Sequence, residues 1–247
     1  MIYQYSVYDD VIPAELQTKV WEYIQHQKFY ASRKDRDYPN PGTIMEYYPF
    51  EEKKEYLDSS LASVNNQFMH RCIFGDNEME LMKHPPILNL WLTINKFLDN
   101  SFKIAGDPEG IAIKAPKGRS GVTSRVYVNA QPDESIKRSH GVHRDTIDLN
   151  EDKNYTLLYI ANPEWYSTWF GENIFYEDNI ESNDKQQFQK GFGQSRGFGV
   201  GDPYAVVLPK PGRIILYDGR TLHTTKPVAV WAKQMRYAVV FRIKKVS

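Results

Sequence analysis

The chain has 247 residues, enough to bury one large β domain or two small domains. Lysine plus arginine and aspartate plus glutamate each total 31, so a net charge of zero gives no global attraction to nucleic acid or anionic membrane. A single cysteine, Cys72, excludes an internal disulfide and a cysteine-based metal cluster. The opening Met1-Ile2-Tyr3-Gln4-Tyr5 has no charged stretch leading into an apolar one, and runs such as Ala238-Val239-Val240-Phe241 are too short to span a bilayer. The expectation is therefore a cytoplasmic protein with no membrane or nucleic-acid partner.

The first hundred residues read as helical and irregular. Pro13 can open a helix over 14–27, with Leu16, Val20, Tyr23 and Ile24 on one stripe. The segment 33–41 is charged and proline-bearing, hence a loop, and a second candidate helix runs from the charged 51–56 to Phe68. Pro85-Pro86 introduces a third, in which Ile87, Leu90, Trp91, Ile94, Phe97 and Leu98 recur at helical spacing. Core packing is the ordinary role of such a stripe.

From about Ile111 short strands alternate with turns. The candidates are 124–129, 155–160, 173–176, 205–208, 213–217 and 236–243. Pro209-Lys210-Pro211-Gly212 and Asp218-Gly219 are strong turns between them. Aromatics at 14 % of residues, with 17 tyrosines, suit the wide half-polar surfaces of sheets. The pattern predicts a β-dominated α+β fold, a jelly roll or double-stranded β-helix with the N-terminal helices on one outer face. No linker divides the chain, so 1–247 reads as one domain: a helical elaboration over 1–110 and a β core over 111–247. Between two of the strands lies the glycine-rich run 191–201. It has neither the strand-then-helix frame nor the Lys-Ser/Thr of a phosphate loop, so it reads as a mobile lid or surface loop.

The chemistry sits in two motifs. In His143-Arg144-Asp145, residues at i and i+2 of an extended chain point the same way and offer an imidazole and a carboxylate to one ion. In Arg213-Ile214-Ile215-Leu216-Tyr217-Asp218-Gly219-Arg220-Thr221-Leu222-His223, an apolar strand and a tight turn bring back a second histidine. Two histidines and a carboxylate on one face of an octahedron are the ligand set of non-haem iron(II) oxygenases. Zinc accepts the same donors, with hydrolysis as the consequence.

Arg236 decides between them. It opens the strand Arg236-Tyr237-Ala238-Val239-Val240-Phe241, and a guanidinium inside a β-barrel is costly unless it meets an anion. The distal carboxylate of 2-oxoglutarate would provide one in bidentate geometry. Lys233 is the rival, but it precedes the strand pattern, in the polar Ala232-Lys233-Gln234.

Four pieces in order resemble the prolyl-4-hydroxylase-like branch of the 2-oxoglutarate/iron(II) oxygenases. They are His143-x-Asp145; Leu158-Tyr159-Ile160-Ala161-Asn162-Pro163-Glu164-Trp165 with Gly171-Glu172-Asn173; Pro209-Lys210-Pro211-Gly212-Arg213-Ile214 leading to Leu222-His223; and Arg236-Tyr237. The resemblance covers about half the chain, 124–241, and the first 110 residues take no part in it. The stretch from His223 to Arg236 is longer than is usual in that family, so the turn around Trp231 carries an insertion.

The resemblance implies a double-stranded β-helix with iron(II) on His143, Asp145 and His223, and with 2-oxoglutarate, dioxygen and a candidate reductant in ascorbate. It implies hydroxylation of a C–H bond, on peptidyl proline or, alternatively, on a free amino acid or other small metabolite. A catalytically silent β-helix that binds a partner is the third reading. Tyr159 resembles the family's tyrosine that hydrogen-bonds 2-oxoglutarate, provided the strand register holds. Tyr127 shares a polar strand face with Arg125 and Asn129, which would line the cofactor site or meet water. His140 reads as an outer partner of the metal site or an exposed loop histidine.

Overall fold

The computed structural model describes residues 4–32, 44–47, 70–106, 109–111, 122–131, 142–146, 153–179 and 200–246. The expected helix over 51–68, the loop over 33–41, His140 and residues 191–199 of the glycine-rich run lie outside them.

Two antiparallel sheets form the framework. In the larger, β1 (Tyr5–Tyr8) pairs with β12 (Ile214–Asp218), followed by β9 (Asn154–Ile160), β14 (Arg236–Lys245) and β8 (Val126–Gln131). Beyond β8 lie β4 (His70–Gly75), β2 (Phe29–Ser32) and β3 (Ile44–Tyr47), and the short β5 (Phe102–Lys103) pairs with the end of β14. The smaller sheet has the order β11 (Val200–Val207), β10 (Asn173–Asp178), β13 (Leu222–Thr225). A separate hairpin joins β6 (Glu109–Ile111) to β7 (Val122–Ser124). Strand-dominated, with two antiparallel sheets and few helices, this is a jelly-roll double-stranded β-helix.

Alternation along each strand sorts the core into two compartments. On one face of the large sheet, Val126, Val128, Leu157, Tyr159, Leu216, Val239 and Phe241 pack against α1 (Ala14–Gln25) and α3 (Pro85–Phe97). Val20 and Ile24 of α1, and Ile87, Leu90, Trp91 and Ile94 of α3, are the buried stripes that meet them. The helices thus cover one outer face, as the sequence predicts. On the other face Tyr127, Leu158, Ile215, Tyr217 and Val240 meet Phe175, Ala205 and Val207 of the small sheet and fill the interior between the sheets.

The N-terminal third departs from its expected reading as helical and irregular. β1, β2, β3 and β4 all hydrogen-bond into the large sheet, β1 through Tyr5↔Tyr217 to Tyr8↔Ile214 and β4 through Cys72↔Val128. These strands are short, at four to six residues, and β1 and β4 find their partners far along the chain, while β2 and β3 pair with each other. No helix among the described residues is long and apolar enough to cross a membrane.

Trp91 anchors the helical layer. It is fully buried, stacks on Phe241 with ring centroids 5.5 Å apart, and donates its indole N–H to Glu78 Oε1 at 2.7 Å. Glu78 opens the one-turn helix α2 (Glu78–Leu81). Trp91→Ala is expected to cost about 3–5 kcal/mol of stability in denaturant titrations, the usual loss for a fully packed Trp. Cys72 is buried and burial pushes its thiol up to about 12, so a thiol reagent should label the protein only as it unfolds.

Candidate metal centre

The segment carrying His143 and Asp145 is docked by backbone. His143 and His223 exchange N–H to carbonyl hydrogen bonds, each 2.9 Å, so the segment continues the small sheet beside β13. Asp145 and Thr146 both donate their backbone N–H to the Gly219 carbonyl, at 2.9 and 3.0 Å. The Asp218-Gly219 turn therefore does more than reverse the chain: it is the shelf on which the ligand segment rests. A Cβ on Gly219 would stand 3.2 Å from Asn154 O and 3.3 Å from Thr146, tight against the backbone it holds. Asp218 fastens the turn from below, accepting from Arg220 N, Nε and Nη2 at 2.8, 2.9 and 2.6 Å.

Arg144 points away from its neighbours. Its guanidinium donates to Arg220 O at 2.8 Å and Asp178 Oδ1 at 2.9 Å, in a pair whose side chains are almost fully buried. With Arg144 held on one side, His143 and Asp145 share the other.

The structure brings His143, Asp145 and His223 together with one candidate ligand atom from each, all within 4.8 Å of one another. His143 Nε2 lies 3.6 Å from Asp145 Oδ1, His223 Nε2 lies 3.7 Å from Asp145 Oδ2, and the two imidazole centroids are 4.4 Å apart. The protonation pattern suits a cation. His223 Nδ1 hydrogen-bonds the Thr221 carbonyl at 3.0 Å, which places the proton on Nδ1 and leaves the Nε2 lone pair facing the cluster. Burial pulls the His223 pKa down to about 4, so the ring is neutral at physiological pH.

Asp145 is fully supported from behind. Its Oδ2 accepts from Tyr217 OH and Thr156 Oγ1, both at 2.7 Å, and pairs with Arg242 Nη1 at 2.5 Å. Arg242 also donates to Thr156 Oγ1 at 2.7 Å and, through Nε, to Tyr127 OH at 3.3 Å. Burial would push the Asp145 carboxyl up, but the charge and hydrogen bond of the Arg242 guanidinium hold it well below the usual carboxylate range. Tyr217 is pushed the other way by burial and by Asp145, so it remains a protonated donor. Its hydroxyl also lies 3.2 Å from His223 Nε2. Because Oδ2 is saturated, Asp145 offers a metal one oxygen, Oδ1. Two imidazoles and one monodentate carboxylate on a common face fit a divalent ion and leave its remaining positions open.

A second cationic group, Arg236, opens the strand that carries Arg242. Arg236 is 3 % exposed, and among the described residues its guanidinium makes one long hydrogen bond, Nη2 to Asn173 Oδ1 at 3.4 Å. Its Nε has no partner. Burial lowers its pKa to about 10, with Tyr217 and Glu172 opposing the shift, so it stays cationic at neutral pH. Gly171, at φ +81°, lets the chain pass close by: a Cβ there would sit 3.1 Å from Arg236 Cδ. Asn173 Oδ1 is also held by Thr225 Oγ1 at 3.0 Å, and Thr225 stands two residues beyond His223. Lys233, the sequence rival, is exposed. The stretch between His223 and Arg236 lies over the 3-10 turn Ser167–Trp169: Ala229 N donates to Trp169 O at 2.9 Å and Trp231 Nε1 to Thr168 O at 3.1 Å.

The two tyrosines expected at the cofactor divide. Tyr127 faces the interior and reaches the metal cluster through Arg242. Tyr159 does not: it pairs with Val239 and belongs to the compartment under the helices. The register places Thr156, Leu158 and Ile160 inward and Tyr159 on the opposite face, where it packs under the helices. Arg242, Thr156 and Tyr217 escaped the sequence reading. A signal was present for Arg242, since six residues from Arg236 on a strand is the same face.

Fold and centre together define a class, a double-stranded β-helix with a His-Asp-His facial donor set at its interior. No protein-family model matches the chain, and no curated protein matches its sequence. Solved structures resemble it at low identity. A prolyl hydroxylase from Trichoplax adhaerens, in complex with a hypoxia inducible factor oxygen degradation domain peptide fragment, is 14 % identical over 98 % of this chain and 83 % of that one, with a TM-score of 0.48. A Pseudomonas putida prolyl-4-hydroxylase is 11 % identical over 99 % and 94 %, at 0.43. AviO1 from Streptomyces viridochromogenes Tue57 is 10 % identical over 99 % and 91 %, at 0.49.

Metal binding tests the cluster. The anaerobic protein is expected to take up about one iron(II) or manganese(II) per chain, as one facial donor set implies. His143→Ala and His223→Ala should fold, by circular dichroism, and lose it. Retention of stoichiometric metal by both variants would place the ion elsewhere.

Proposed function

We propose that this chain is an iron(II)- and 2-oxoglutarate-dependent dioxygenase that hydroxylates a C–H bond. The observation that carries the reading is the pairing of two features in one interior: a three-ligand face with open positions, and a buried guanidinium, Arg236, whose Nε lacks a partner. A hydrolytic zinc site would account for the first and has no use for the second. A dicarboxylate that chelates the metal at one end and meets Arg236 at the other uses both.

Iron(II), 2-oxoglutarate and dioxygen together supply the oxidising chemistry, in which decarboxylation to succinate and CO2 accompanies insertion of oxygen into the substrate. The protein's residues prepare the site. His143, Asp145 Oδ1 and His223 are the ligands, and the Thr221 carbonyl fixes the His223 ring by holding its Nδ1 proton. Tyr217, Thr156 and Arg242 keep Asp145 ionised and oriented. Arg236 binds the distal carboxylate and sets how deep the co-substrate enters. Leu158, Phe175, Val207 and Val240 make the surrounding wall apolar and exclude water from the reacting centre. Tyr127 acts at one remove, by holding Arg242.

The substrate class proposed is a peptide, with proline as the residue oxidised, and a free amino acid or small metabolite is the alternative arm of the test. Oxygen-dependent conversion of 2-oxoglutarate to succinate should be stimulated by one pool and not the other. Absence of succinate with every pool, in protein loaded with iron, would count against the reading. Arg236→Ala should raise the 2-oxoglutarate requirement about a hundredfold or more, because stranding one partner of a buried charge pair costs about 3–5 kcal/mol. Lys233→Ala should change it little. The reverse ranking would transfer the role to Lys233.

A further inference from the structure

Two arginines project from the same face of β14 into the interior, and they stand in opposite states. Arg236 has an Nε without a partner. Arg242 is engaged with the protein's own carboxylate, Asp145, with both side chains about 5 % exposed. A buried Arg–Asp pair is costly to assemble, and a metal-binding carboxylate already acquires a countercharge when the metal arrives. Nothing in metal ligation requires the guanidinium. Thr156 and Tyr217 alone would orient Oδ2.

What the guanidinium changes is the charge that a bound ligand meets. As metal ligands, two imidazoles that each offer a nitrogen lone pair and one carboxylate bring a net charge of minus one. Arg242 cancels it. A divalent ion seated there keeps the whole of its double positive charge as seen by whatever binds its open positions, inside a low-dielectric cavity where charge is weakly screened.

We propose that Arg242 is a positioning residue that acts through Asp145 and makes the metal centre selective for dianionic chelators. The inference rests on the metal-site part of the functional reading and extends it. Arg236 recognises the far end of an anion, and Arg242 sets the electrostatic demand at the metal end. Tyr127 and Thr156 belong to the same device, holding the guanidinium by Nε and Nη1 so that it cannot swing toward the cavity.

The experiment uses full-length protein loaded with cobalt(II) and two probes of the open positions: oxalate, a chelating dianion, and imidazole, a neutral ligand, both followed by the visible cobalt spectrum. Arg242→Gln keeps an amide donor beside Asp145 and removes the charge. It should weaken oxalate by at least about tenfold, since the dianion loses one unit of attraction at close range, while imidazole changes by less than about threefold. Arg242→Lys keeps the charge and should hold the ratio of oxalate to imidazole affinity within about threefold of the unmodified protein. It also serves as the reading if the glutamine variant does not fold. Equal weakening of both ligands would reduce Arg242 to a structural prop, and unchanged oxalate affinity, or a collapsed ratio in the lysine variant, would remove charge as the cause. Neither probe requires 2-oxoglutarate. Cobalt protein that binds oxalate as stated but not 2-oxoglutarate would overturn the functional reading and leave this inference standing.

Discussion

The structure turns on keeping one carboxylate ionised in a place where water cannot reach it. Asp145 sits between two sheets with its side chain 4 % exposed, and an unsupported charge there would simply take a proton. Tyr217 from β12, Thr156 from β9 and Arg242 from β14 converge on one oxygen, so three adjacent strands of the large sheet are committed to it. The small sheet contributes the histidines: His223 on β13, and His143 bonded to it through the backbone. The metal cluster is the seam between the sheets. Its geometry comes from the antiparallel register of the large sheet and β13, and from the backbone hydrogen bonds that dock His143 and Asp145 onto His223 and the Gly219 turn.

Alternation explains how one sheet serves two purposes. Along β14 the residues Tyr237, Val239, Phe241 and Ile243 pack under the helices, while Arg236, Val240 and Arg242 face the interior. The strand is buried on both sides through Ile243. α1 and α3 therefore do more than decorate the outside. By sealing the outer face they let the strands of the large sheet devote every second residue to the interior. The described N-terminal strands extend that same sheet, so they share one framework with the half that carries the His143–Asp145–His223 cluster.

The His143–Asp145–His223 cluster was legible in the sequence because its constraint is local. His-x-Asp on extended chain and a histidine after an Asp-Gly turn are short patterns with a geometric meaning. The helices were legible because α1 and α3 carry their own periodicity and prolines. What failed were facts fixed by distant pairing. Tyr5–Tyr8 becomes a strand because β12 is there to receive it, with Tyr5 set against Tyr217 and Tyr8 against Ile214. Tyr159 looked inward by motif and lies outward by register, since one residue's offset flips a face. Arg242 lies six residues beyond Arg236 on the same strand face, and the rule that a buried cation needs an anion holds there too; its anion is Asp145, a partner that only the fold brings to it.

The central claim is that the His143–Asp145–His223 face holds iron(II) with positions left open for a chelating 2-oxo acid. Its most direct test is the visible spectrum of the anaerobic, iron(II)-loaded protein during titration with 2-oxoglutarate, with glutarate, which lacks the keto oxygen, as the control. The account predicts a weak metal-to-ligand charge-transfer band that grows with 2-oxoglutarate to one equivalent per iron and is absent with glutarate. Iron-loaded protein that shows no band with 2-oxoglutarate would contradict it.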